Sequence, residues 1–326
     1  MRRRDVLKAV PFLATPALAT PALAQGGAKT LRFVPQSNLS SLDPVWTTAT
    51  VVINHGYLVY DTLYGITRGG ECKPQMCAGR EVSGDELTWT FTLRDGLVFH
   101  DKEKVKAQDC VMSIKRWALK DPFGQQLMLT ANEISALDDT RFQIRLKKPF
   151  RQMLYGFGAR NCFMMPERVA LTKASEQIKE TTGSGPFRFL PDEWVSGARA
   201  AYTRYDGYVP RQEAPDYFAG GKVANFNRVE WVVQPDPATA AAALQKNEAD
   251  WVEVPLIDLC PMLRKSPDIL VKVFDPYGWL PILAMNHLYP PFDNPKLRRA
   301  LLPAIDQKAF VEAMVGDQSE LGRVPA

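Results

Sequence analysis

The chain has 326 residues, 46% of them hydrophobic and 23% charged, and five cysteines. That length exceeds what one compact core usually holds and favours two domains, while the balance excludes a disordered, collagen-like or membrane-bundle protein. The formal net charge of +4 does not signal a nucleic-acid partner, because Arg2, Arg3, Arg4 and Lys8 against Asp5 supply most of it and the rest of the chain carries only about +1.

The first stretch, "MRRRDVLKAVPFLATPALATPALA" (residues 1–24), sets arginines before an Ala/Leu/Pro run that closes on Ala-Leu-Ala. This pattern predicts an export signal cleaved after Ala24, and hence a periplasmic protein. Pro11, Pro16, Pro21 and Lys8 make it a poor membrane span. It resembles the twin-arginine pattern with Val6 in the phenylalanine place, so twin-arginine and Sec export both stay open. No cysteine follows the cleavage region to carry a lipid anchor.

Beyond the signal, "TLRFVPQ" predicts a strand with Leu31 and Phe33 on one face. Asp43-Pro44 turns the polar loop that follows. "VVINHGYLVYDTLYGI" has apolar residues at helical spacing and predicts a helix ending near Gly65. "LTWTFTLRDGLVFHD" predicts a hairpin: Leu87, Trp89, Phe91 and Leu93 alternate with threonines, Asp95-Gly96 turns the chain, and Val98 and His100 alternate beyond it. The period then changes, since Cys110, Ile114, Trp117 and Ala118 share one helix face.

Further strands are expected in "RFQIRLK", "GSGPFRFL" and "RVEWVVQ". In "PDPATAAAALQKNEADWVEV", Asp236 caps a helix opened by Pro237, Asn247 closes it in the left-handed conformation, and "DWVEV" returns as a strand. Such a strand, helix, strand unit builds an open α/β sheet. Near the end, Asp293 or Asn294 caps a helix opened by Pro295, Pro303 kinks or ends it, and Asp306 starts another.

Candidate chemistry is sparse. His55, His100 and His287 are far apart with no carboxylate or thiol at ligand spacing, so neither a metal site nor a cofactor is expected. Ser184 in "GSGP" is followed by a proline and a strand, whereas a nucleophile elbow and a nucleotide-binding loop both lead into a helix. Its glycines instead let the backbone turn tightly or approach a ligand. His100 and Asp101 are adjacent on a strand and point to opposite faces, which prevents one from orienting the other as a catalytic pair. No catalytic residue is assigned, and the protein is not expected to be an enzyme. An odd number of cysteines leaves at least one thiol free in an oxidising compartment. A Cys72–Cys77 disulfide stays open, and Cys110, Cys162 and Cys260 are expected as buried thiols.

Taken in order, "SLDP", "YDTLYG", "LTWTFTLRDGLVFHD", "AQDCVMSIKRW", "GSGPFRF", "RYDGY", "ALQKNEADWVEV" and "PPFDNPKLRRALLPAID" resemble one family. It is the extracytoplasmic solute-binding proteins of peptide-type ABC transporters, the oligopeptide, dipeptide and nickel-binding family. The resemblance implies an α/β fold of the two-lobe periplasmic-binding-protein type, class II-like. Residues 25–60 and 184–275 would form the main sheet of lobe I, 61–183 a subdomain attached to it, and 276–326 the start of a lobe II that is largely missing. A chain of this length is expected not to close over a ligand.

The implied role is capture of a peptide or similar small solute, by a monomer, for delivery to a membrane permease and its ATPase. Implied ligand contacts are Thr48 and Thr50, which match the family's ligand-facing loop, then Ser184 and Gly185, and the crossover residues Tyr277 and Trp279. A periplasmic chaperone or receptor-partner module on the same fold and a secreted hydrolase are the alternatives. The chain departs from the family where a glycine, a proline and a threonine give way to Lys102, Lys104 and Lys106. A lysine in a turn that needs positive φ costs about 1 kcal/mol, and the helix that follows loses its capping hydroxyl.

Overall fold

Phe33 and Trp231 pack on one face of a sheet while Val34 points to the other, the two-residue period of strands covered on both sides. The computed structural model describes residues 29–274, 278 and 282–316. The expected export signal, Tyr277 and Trp279 lie outside them.

The sheet has five strands in the order Phe187–Phe189, Arg199–Arg204, Arg228–Val232, Thr30–Val34 and Trp251–Val252. Thr30–Val34 runs parallel to both of its neighbours, and the first three strands pair antiparallel. One face is covered by the helix Thr50–Val59, whose Val51, Val52 and Val59 join Phe187, Phe189 and Tyr202 in a buried core. The helix Pro237–Gln245 covers the other through Ala240 and Ala243 against Val34. Its caps are those the sequence predicts: Asp236 accepts the Thr239 N–H at 2.7 Å, and Asn247 takes φ 58°. Asn294 and Asp306 likewise cap Pro295–Leu301 and Gln307–Val315, with the turn around Pro303 between them.

Residues between Leu63 and Met164 build a second core, while Phe163, Met165, Val169 and Ile178 pack into the first. An antiparallel sheet in the order Cys77–Val82, Thr88–Leu93, Arg141–Leu146 and Ala131–Ala136 presents Trp89, Phe91, Leu93, Phe142, Ile144 and Leu146 inward. The helix Ala107–Ala118 lays the predicted Cys110, Ile114 and Trp117 face on it. All five cysteines are free, so Cys72 and Cys77 are not joined. Cys110, Cys162 and Cys260 are buried as expected, and burial pushes the thiols of Cys110 and Cys162 well up.

Two expectations are corrected. The helix from Thr50 stops at Val59 rather than near Gly65. There the loop carrying Ser184 takes over its backbone groups: Gly185 donates its N–H to the Val59 carbonyl at 2.9 Å, and Asp61 donates to Ser184 Oγ at 3.0 Å. The apolar run beyond continues as the short strands Asp61–Thr62 and Tyr64–Ile66.

The hairpin is also placed differently. Thr88–Leu93 turns back on the preceding strand Cys77–Val82, through the bend at Ser83–Glu86. The Asp95-Gly96 turn instead opens a loop in which only Val98 and Lys104 bridge. Lys102 closes that loop at φ 74°, with its N–H on the Phe99 carbonyl at 2.9 Å. Lys102 therefore occupies the left-handed conformation that glycine adopts without a Cβ penalty. Lys102→Gly is expected to raise stability by up to about 1 kcal/mol, read as a higher urea midpoint at unchanged slope. Nearby, half of a capping box survives: Asp109 accepts the Lys106 N–H at 2.8 Å.

Candidate functional site

The central strand Thr30–Val34 lies between two parallel partners that the chain reaches at different times. It first arrives at Arg228–Val232 on one side, then crosses by Pro237–Gln245 to Trp251–Val252 on the other. Where strand order reverses in this way, a crevice opens beyond the carboxyl ends of the strands, and open α/β sheets bind ligands there. Three segments meet at that edge: the loop from Pro35 to Ala49, the turn at Asp236, and the stretch from Glu253.

The long loop is pinned from below. Asp43 is fully buried, and its carboxylate accepts the N–H groups of Val45 at 3.0 Å and Ile178 at 3.1 Å. Arg116 from the helix Ala107–Ala118 reaches it at 2.5 Å and donates also to the Thr172 carbonyl at 2.6 Å. A buried, multiply bonded ion pair thus joins the loop to the second core. Past this anchor Thr48 and Thr50 stand exposed, Thr50 as the first residue of its helix. One turn on, Asn54 donates its amide to Glu253 Oε1 at 2.6 Å, and the Gln36 N–H donates to Oε2 at 2.9 Å. Thr50 and Asn54, four residues apart, share a helix flank, so the threonines, Gln36, Asn54 and Glu253 gather at one edge.

Ser184 and Gly185 are placed elsewhere, at the carboxyl end of the helix that Thr50 begins. Ten residues of helix separate the two groups by roughly 15 Å. Ser184 is buried, donates to the Met164 carbonyl at 2.8 Å and accepts the Asp61 N–H. A Cβ on Gly185 would stand 2.7 Å from the Val59 carbonyl carbon, so the glycine permits close backbone packing.

His100 clamps the same loop. The Gly183 N–H donates to Nδ1 at 3.2 Å, which leaves the proton on Nε2 to donate to the Gly185 carbonyl at 3.0 Å. Burial lowers its pKa to about 4 and keeps the ring neutral. Asp101 turns away to Arg168 at 2.6 Å, so the two adjacent residues serve separate structural contacts. His55 is buried under the main sheet with Nδ1 on the Tyr202 hydroxyl at 3.0 Å. Among the described residues no group of three histidines, cysteines or carboxylates is arranged to hold a metal ion, and no helix is long and apolar enough to cross a membrane.

The profile of the bacterial extracellular solute-binding proteins, family 5 (middle region), matches residues 71–325. The chain belongs to that family. A probable peptide ABC transporter periplasmic-binding protein of Sinorhizobium fredii is 41% identical to this family 5 chain, over 97% of it and 60% of its own length. A glutathione-binding protein of Pectobacterium atrosepticum is 27% identical over 85% of this chain and 52% of its own. The chain thus spans between half and two thirds of these relatives.

The fold is that of periplasmic binding proteins. An ABC transporter-associated periplasmic binding protein from Helicobacter pylori, in complex with the peptide STSA, aligns at TM-score 0.71 and 24% identity, over 88% of this chain and 58% of the other. A dipeptide-binding protein from Pseudoalteromonas sp. SM9913, in complex with Met-Leu, aligns at TM-score 0.71 and 20% identity, over 87% and 59%.

In this family 5 chain the family resemblance implies the two threonines but not Gln36, Asn54 or Glu253. "DWVEV" contains a signal in retrospect: Glu253 follows the last strand residue on the carboxyl side, where side chains face the crevice. Its partners lie 217 and 199 residues earlier, and no local pattern reports such a contact.

Proposed function

We propose that the chain is the substrate-binding component of an ABC transporter, which captures peptides or a similar small solute in the periplasm and presents them to a membrane permease and its ATPase. The observation that carries this reading is the reversal of strand order at Thr30–Val34, with Thr48 and Thr50 exposed, in a family 5 chain 41% identical to a probable peptide transporter component. An extended peptide can be held there by main-chain hydrogen bonds, with ordered water accommodating varied side chains. Thr48 and Thr50 are proposed as direct contacts, together with Tyr277 and Trp279, which lie outside the described residues. Ser184 and Gly185 are proposed to act from behind, fixing the helix that Thr50 begins. Export as a monomer without enzymatic activity completes the proposal.

The fewer ligand groups a site grips, the weaker its binding. Titrating short peptides into the protein is expected to perturb the amide resonances of Thr48 and Thr50 saturably, at about millimolar concentration. Peptides that leave those resonances unmoved while the fold is intact would overturn the reading.

A further inference from the structure

The helix Pro122–Thr130 buries Gly124, Leu127 and Thr130, three residues apart, as one face. Met128 and Leu129 fall off that face and stand exposed, Leu129 at 67%, where a surface helix ordinarily carries polar residues. Leu119, just past the end of Ala107–Ala118, and Leu171, just past Glu167–Ala170, are exposed at 55% and 59%. A single exposed leucine needs no explanation, but these four side chains line one open groove of about 710 Å³. That volume falls within the roughly 300–1,000 Å³ of small-molecule sites, which are mainly apolar with a few placed polar groups.

The charged residues of the lining are Lys115, Arg116 and Lys173, and no carboxylate is among them. Lys115 has no ion pair among the described residues, and its electrostatic neighbour Glu133 is bonded to Arg145. Lys173 meets Glu176 loosely, at 3.9 Å, with both side chains exposed. Arg116 is 4% exposed. Its two terminal nitrogens donate to Asp43 and to the Thr172 carbonyl, but its Nε has no partner among the described residues. A buried donor left unpaired is costly.

We propose that this groove is a second binding site, which takes an aliphatic carboxylate. The alkyl chain lies on Leu119, Met128, Leu129 and Leu171, and the carboxylate sits between Lys115 and Lys173 and accepts the Arg116 Nε–H. Hydrogen bonds to an ionised group are about twice as strong as neutral ones, so the headgroup adds affinity to what the chain supplies. An acidic amphipathic helix, about 10–12 Å across, would meet the two lysines but not Arg116, which is almost closed to solvent. None of the residues gathered at the ligand edge of the main sheet lines the groove, so the proposal stands independently of the solute-binding reading.

The test is a titration of the full chain, read at the methyl resonances of Met112 and Met128, both in the lining. The probes are octanoate, octanol, octylammonium and butyrate. Octanoate is expected to shift both methyls saturably, about fivefold or more tighter than octanol, with octylammonium weaker than octanol and butyrate without saturation. Replacing both lysines, Lys115→Met with Lys173→Met, is expected to bring octanoate close to octanol while octanol binds no more weakly than before. Leu171→Glu is expected to weaken octanoate and octanol alike, by about fivefold or more. Equal binding of octanoate and octanol to the wild type overturns the proposal, as does an octanoate preference that survives the double lysine variant. Affinities indifferent to Leu171→Glu, or octanoate that never saturates, overturn it too. If a Leu/Glu amphipathic helical peptide shifts the same methyls where octanoate does not, the groove is a protein-docking surface and the proposal fails.

Discussion

Asp43→Ala is expected to lower the free energy of unfolding by about 4 kcal/mol. The substitution leaves the Arg116 guanidinium buried without its carboxylate, and it strips acceptors from the Val45 and Ile178 N–H groups as well. Arg116→Met should cost a comparable amount by stranding the aspartate. The combined variant should cost much less than the sum, because a buried pair replaced as a pair loses mutual attraction and desolvation cost together. A double-mutant cycle in urea is expected to give a coupling of about 2–3 kcal/mol. Additive single costs would show that the pair acts as two independent hydrogen-bond anchors. The loop held by Asp43 carries Thr48, so peptide binding should weaken in the single variants even where the fold persists.

Between pH 7 and pH 5 the protein is expected to lose about 4 kcal/mol of stability from two histidines. Burial lowers the pKa of His55 to about 3 and of His100 to about 4, against the ordinary value of 6.5. In this window the unfolded chain takes up a proton on each ring and the folded chain does not. Protons therefore favour the unfolded state, and stability falls as pH falls, starting near 6.5 and continuing until the folded rings titrate. Carboxylates held low by partners, such as Glu213 beside Arg211, lose their stabilising contribution as pH falls from the ordinary value of 4.5 towards about 2, below this window. Urea midpoints at pH 7, 6 and 5 measure the slope. His100→Gln can keep both bonds, with the amide oxygen accepting from Gly183 and the amide nitrogen donating to Gly185, and it should remove about half of the slope. A slope unchanged by that variant would assign the effect to other groups.

Much of the architecture was legible because it is written in local spacing. Alternation set the inward faces of Thr88–Leu93 and Arg141–Leu146, and Asp236, Asn247 and Asp306 marked helix ends through hydrogen bonds only a few residues long. What stayed hidden depends on distant partners. Asp43 reads as a turn residue, yet its carboxylate belongs to Arg116. Ser184 reads as a ligand contact, yet its hydroxyl is taken up by the backbone at Asp61 and Met164. The Asp-Gly turn was real, with Gly96 at φ 78°, but a strand takes whichever neighbour buries its apolar face. For Thr88–Leu93 those neighbours were Cys77–Val82 and Arg141–Leu146. Glu253 was hardest to see, since its contacts are with Gln36 and Asn54, about two hundred residues earlier.

The central strand has a consequence for the order in which the molecule assembles. The antiparallel sheet of the second core pairs only residues between 77 and 146, so it can close over short loops while most of the chain is still unfolded. Thr30–Val34 pairs only with segments about 200 residues further on, and loop closure of that length slows folding. Until those segments arrive, the strand has two open edges and its helix has no sheet to cover. The crevice is therefore among the last features to form, and ligand binding reports complete folding of the sheet in a way that helix content or the second core cannot.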